Sequence, residues 1–195
     1  MRYLITAVLL ATLSLGCSGD DNGDEKATIS ERELSKLVLQ PGDLPRVFTR
    51  FDEGRQLTAD QPGGARSDPA RFGREEGWKS RYRRQGSPAT RGPLVIESRA
   101  DLFQSGDGAR DELAAVGDGL EELDKPSLGD DARALTLQQG AGRGGVRYYL
   151  IAWREENVAA SVFVNGFEGK MTLADALALA RKQQQRIATA AGSRP

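Results

Sequence analysis

Apolar and polar positions change their period several times along the chain, and each change marks a predicted element. Residues 3–15 are a mostly apolar run free of charge, while residues 18–28 carry no large apolar side chain. Helical spacing begins after Ser30: Leu34, Leu37 and Val38 form one stripe, Glu33 completes a capping box, and Ile29 before the cap is placed to pack on Leu34. Pro41-Gly42 ends that helix. Residues 47–51 are β-branched and aromatic, which predicts a short strand. Residues 58–77 hold Pro62, Gly63, Gly64, Pro69 and Gly73 without a sustained period and read as a long, mobile surface loop.

From Trp78 the period becomes two. Residues 78–83 alternate aromatic or small side chains with basic ones, and residues 94–103 place Leu94, Ile96, Ala100 and Leu102 on one face. The turn-rich stretch 86–93 between them makes the pair a hairpin. Ala109, Leu113, Val116 and Leu120 return to helical spacing and predict a helix over 108–123, weakened in its second half by Gly117 and Gly119. Strands follow at 132–138, 146–154 and 158–167. The middle one is apolar at nearly every position after Arg147, the mark of a central strand covered on both faces. Thr172 and Asp175 form a second capping box, opening a long final helix with Leu173, Leu177, Ala180 and Ile187 on one face. Consecutive strands interleaved with helices predict an α+β domain, with a mainly antiparallel sheet of five to six strands packed against two or three helices.

Composition removes chemistry rather than naming it. The 195 residues balance 27 Lys+Arg against 28 Asp+Glu and include no histidine and one cysteine. Ser-His-Asp triads, Cys-His dyads, HExxH zinc sites and His-ligated haem are thereby excluded. A disulfide within the chain, a CxxC pair and a thiolate zinc cluster are excluded as well. The near balance of charge is not that of a nucleic-acid binder. The acidic stretch 18–28 lacks the spacing of a calcium loop and reads as a solvated linker. No cofactor, no metal and no catalytic residue is expected.

The single cysteine closes the first apolar run. That run is preceded by Arg2, falls short of the roughly 20 residues that span a bilayer, and ends in Gly16-Cys17 followed by a polar stretch. In these residues the chain resembles a bacterial lipoprotein precursor, with Ser14 where such signals usually carry Leu. The resemblance implies a signal peptide at 1–16, cleavage before Cys17, lipidation of its thiol and a place in the cell envelope facing the periplasm or cell exterior. Residues 17–28 then form a flexible acidic tether and 29–195 a single domain. Residues 94–132, 148–154, Asn157-Val158 and the Ala-rich final helix resemble a recurrent domain of bacterial lipoproteins, similar in element order to the PsbP-like fold. That likeness spans about half of the chain and assigns no functional residue.

Four local features invite chemistry. Gly140-Ala141-Gly142-Arg143-Gly144-Gly145 satisfies GxGxxG, but a strand follows it where a dinucleotide site needs a helix, so it reads as a hairpin loop. Arg71, Arg74, Lys79, Arg81, Arg83, Arg84 and Arg91 form a basic run interleaved with aromatics. In a chain with 21 arginines it reads as solvated surface, with an anionic headgroup or acidic partner as the functional alternative. Tyr148, Tyr149, Trp153 and Phe163 are read as core in preference to a pocket lining. Glu97, Asp101, Asp130 and Asp131 are the carboxylates considered for acid/base work, with Asp130 and Asp131 read more simply as a turn that caps its own amides. The function expected is a non-catalytic binding, accessory or sensing domain for an envelope protein. A carrier of an apolar ligand or lipid and a hydrolase using carboxylates alone are the alternatives.

Overall fold

The structure is a computed structural model in which residues 29–56, 72–117 and 119–192 are described. The signal peptide, Cys17, the tether and most of the loop expected at 58–77 lie outside the described residues. Seven strands form one antiparallel sheet: β1 (Thr49–Arg55), β2 (Arg74–Arg83), β3 (Val95–Phe103), β4 (Glu121–Glu122), β5 (Asp130–Gln139), β6 (Val146–Glu155) and β7 (Val158–Phe167). Their order is β1-β2-β3-β7-β6-β5-β4. Three helices accompany them, α1 (Leu34–Leu37, entered through a 3-10 turn), α2 (Gly106–Ala115) and α3 (Leu173–Ala190).

The α+β class and antiparallel sheet agree with the sequence pattern, and the differences have local causes. Arg74–Gly77, expected in the loop, extend β2 by pairing with Asp101–Phe103. The predicted helix over 108–123 ends at Ala115. Gly117 and Gly119 turn the chain with φ of 98° and 81°, and Arg133 reaches from β5 to the carbonyls of Leu113 and Val116 at 2.9 and 2.7 Å. With the helix end satisfied by a guanidinium, the following residues are free to form β4, which takes the strand count above the expected six.

On one face of the sheet, α1 and α3 pack over Tyr82, Ile96, Ile151, Trp153, Val162 and Val164, all at most 1% exposed. Here α3 presents Ala176, Ala180 and Ile187, so its small residues let it approach closely and leave the interface filled. Thr172 caps it as predicted, accepting from the Asp175 N–H while Asp175 accepts from the Thr172 N–H at 2.8 Å. A buried polar lock joins three segments on this side. Ser98 Oγ accepts from the Leu39 N–H at 2.8 Å and donates to Gln183 Oε1 at 2.7 Å. The Leu39 carbonyl accepts from Ser80 Oγ and Tyr82 Oη at 3.0 and 2.8 Å. Burial raises the pKa of Tyr82. Among the described residues, the apolar clusters run from Ile29 to Ala191.

Candidate binding face

The second face of the sheet is covered only at one end. There Ala109 and Leu113 of α2 pack on Phe103, Ala152 and Ala159. Leu135, on the same face opposite Leu150, is buried as well, and past it burial by the described residues is only partial. Strands β5, β6 and β7 pair Leu137 with Tyr148 and Leu150 with Phe163. Alternation therefore brings these four side chains to the same side. The Tyr148 and Phe163 rings stack with centroids 5.7 Å apart, and Leu137 is 42% exposed. Tyr148, Leu150 and Phe163 are half-buried, so the four side chains form an apolar strip whose exposed end is Leu137.

Beside it, β1 to β3 carry a ladder of alternating charge. Asp52 lies 3.0 Å from Lys79 Nζ and 3.7 Å from Arg81. A hydrogen bond from Lys79 keeps its carboxyl below the usual range despite partial burial. Arg81 reaches Glu97 at 3.1 Å, and Asp101 holds both Arg74 and Arg99, at 2.8 and 2.7 Å. The Arg81 and Arg83 guanidinium groups sit 5.0 and 5.2 Å from the Phe51 ring centre, where the ring face attracts them. Strip and ladder form a surface with an apolar half and a polar, ion-paired half.

The sequence candidates divide across this surface. Tyr148 and Phe163 lie on the strip rather than in the core, because β6 keeps a helix over its second face only near Ala152. Trp153 and Tyr149 point to the other side, Trp153 fully buried and Tyr149 half-buried against the core. The expectation that β6 is covered on both faces therefore holds for Ile151 to Trp153 and fails for its first half. Glu97 and Asp101 share this side of β3 but stand four residues apart, about 13 Å. That exceeds the separation used by paired catalytic carboxylates, and each is held by arginine. Asp130 and Asp131 do not cap turn amides. Both bind Arg154, at 3.0 and 2.7 Å. The glycine-rich segment connects β5 to β6 through a 3-10 turn, with Gly140 and Gly142 at φ of 76° and 68°. It is a hairpin loop.

Pattern reading missed one carboxyl pair. Glu31 and Glu76 both bind Arg55, beside a hollow of about 250 Å³ lined also by Arg32, Ser35 and Trp78. Hydrogen bonding to Glu76 pushes the Glu31 carboxyl up, while the hydrogen bond from Arg55 holds Glu76 down. A second hollow, of about 430 Å³, lies at Asp43 and the exposed face of α3, where Lys182 and Arg186 reach Asp43. Both hollows are polar and open. Among the described residues no group of three or more potential metal-ligating side chains is present, and no described helix is long and apolar enough to cross a membrane.

No family model and no curated protein matches the chain. Among solved structures, it is similar to the extracellular domain of PknH from Mycobacterium tuberculosis, with a TM-score of 0.63 at 14% identity over 84% of this chain and 99% of that one. The likeness is one of fold and spans nearly all of that domain.

Proposed function

We propose that this chain is a lipid-anchored extracytoplasmic module that binds a partner in the cell envelope and acts as an accessory or sensing domain. The observation that carries the reading is the strip of Leu137, Tyr148, Leu150 and Phe163, one exposed and three half-buried apolar or aromatic side chains side by side on one face of the sheet. Four further points support it. The fold is shared with the extracellular domain of a mycobacterial kinase. The Gly16-Cys17 context suits a lipobox. The interface between α3 and the sheet is filled, which leaves little room there for the apolar cargo of a carrier. The carboxylates of the sheet are engaged with arginines, which suits recognition better than proton transfer.

The reading is tested by crosslinking the anchored protein in its native envelope and identifying co-purifying proteins and extracted lipids, in parallel with the double variant Tyr148→Ser, Leu137→Ser. Leu137 is exposed, while Tyr148 is half-buried with its ring stacked on Phe163, so thermal unfolding of the variant is measured alongside to separate lost binding from a lost fold. A protein crosslinked to the parent and lost from the variant supports the reading. An unchanged set of partners, or a stoichiometric lipid held equally by both forms, refutes it.

A further inference from the structure

The near-zero net charge conceals an uneven distribution. At the end of the sheet where β1 begins, β2 ends and β3 begins, Arg46, Arg83 and Arg91 are exposed and make no ion pair with a described residue. Arg84 adds a fourth cation, set 5.1 Å from the Phe48 ring centre and donating to the Pro93 and Arg91 carbonyls of the adjoining loop. Lys170 lies against the same loop, since its carbonyl accepts from the Gly92 N–H. The nearby acids are occupied: Asp52 by Lys79 and Arg81, Glu53 by Arg50, Glu168 by Arg147. Arg81, in the middle of the basic run, is neutralised by Asp52 and Glu97 and drops out of the set.

This corner also carries two of the three large hydrophobic side chains most exposed among the described residues, Val47 at 61% and Phe51 at 39%. Unpaired arginines around protruding apolar side chains are what an interface of phosphate headgroups over acyl chains accepts, the cations facing phosphate and the apolar tips entering the boundary. An anchor at Cys17 lies 12 residues before Ile29. Such a tether spans at most about 40 Å and keeps the domain within reach of its bilayer. From this charge complementarity and tether length we infer that the Val47–Phe51 corner, with Arg46, Arg83, Arg84 and Arg91, docks the domain on an anionic phospholipid surface. The tether argument rests on the proposed anchoring, whereas the docking chemistry does not.

The test uses the chain from residue 17 onward with Cys17→Ala, which carries no lipid, so that binding reports the corner alone. Sedimentation with vesicles of neutral phosphatidylcholine is compared with vesicles containing 30% phosphatidylglycerol, at 0.1 M and 0.5 M salt. Binding is expected to the anionic vesicles only, weaker at the higher salt. The triple variant Arg46→Gln, Arg83→Gln, Arg91→Gln should lose about 100-fold, each cation near such a surface being worth about fivefold. Val47→Ser should lose severalfold by the same ratio at both salts. Equal binding to neutral vesicles, undiminished binding by the triple variant, or no binding by the parent overturns the docking. Any of these leaves anchoring untouched, since that is read separately from the mass and detergent partition of the full chain. Selective capture by an acidic protein with no vesicle binding likewise overturns the lipid assignment.

Discussion

Replacing Ser98 by alanine removes one hydroxyl and orphans two buried groups. Its oxygen accepts from the Leu39 N–H and donates to Gln183 Oε1, and Leu39, Ser98 and Gln183 are all 0% exposed. A buried donor or acceptor left without a partner costs about 1–3 kcal/mol, so the pair costs about 2–6 kcal/mol, toward the lower value if water enters. Ser80→Ala is the control. It removes a similar hydroxyl, but the Leu39 carbonyl keeps the hydrogen bond from Tyr82, so the loss is about 0.5–1.5 kcal/mol. Removing both donors, as Ser80→Ala with Tyr82→Phe, orphans the carbonyl and should cost about 1 kcal/mol more than the two single changes added together. Urea unfolding of the parent, the three single variants Ser98→Ala, Ser80→Ala and Tyr82→Phe, and the double variant at one pH reads these values directly. With a slope near 2 kcal/mol/M, Ser98→Ala should move the midpoint down by more than about 1 M and Ser80→Ala by less than about 0.75 M. If Ser98→Ala is no worse than Ser80→Ala, the polar lock does not hold residues 34–39 on the sheet.

Asp43 is accompanied by Arg186 through two contacts of 2.8 and 2.9 Å. Burial raises its carboxyl pKa, but the hydrogen bonds from Arg186 and the Gln40 N–H outweigh this and leave it lowered. A lowered carboxyl stabilises above its unfolded value and loses that contribution as pH falls through the folded one. Asp43→Asn should therefore cost about 1–2 kcal/mol at pH 7 by denaturant titration, with the gap to the parent narrowing below about pH 4. Gly117→Ala forces a side chain into φ of 98° and within 2.4 Å of Leu135 Cδ1. A loss of about 2 kcal/mol in thermal unfolding is expected, against about 1 kcal/mol for Gly119→Ala, which meets nothing within 4 Å. Equal losses would remove the packing argument. Cys17→Ala should shift the protein from the membrane fraction to the soluble one. Retention in high salt, in a chain still exported and cleaved, would end the lipoprotein reading.

Strand positions were legible because a half-buried strand must alternate, and Ala160 to Phe167 does so. The caps of α3 were legible because they are local, three residues apart. What escaped pattern reading depends on partners distant in sequence. Gln183 looks like a solvent-facing position in a helix, yet it is fully buried because Ser98 and the Arg99 carbonyl meet its amide. Arg133 ends α2 from another strand, and Asp43 meets Arg186 across nearly the whole chain. The strip escaped for a related reason. Its side chains are as apolar as core residues, and only the early end of α2 leaves them incompletely covered.

The strand order sets a sequence of events during synthesis. The middle strand of the sheet, β7, is the last to be made, and it joins β3 on one side to β6 on the other. Until Phe167 leaves the ribosome, the nascent chain holds two partial sheets, each with a long unpaired apolar edge exposed to aggregation or to holding factors. The segment around Leu39 waits longer still, because Gln183, which completes its lock through Ser98, arrives in the final helix. The fold thus has no stable N-terminal half to commit early. Its cooperative closure is an end-of-chain event, slow by the standards of local topologies.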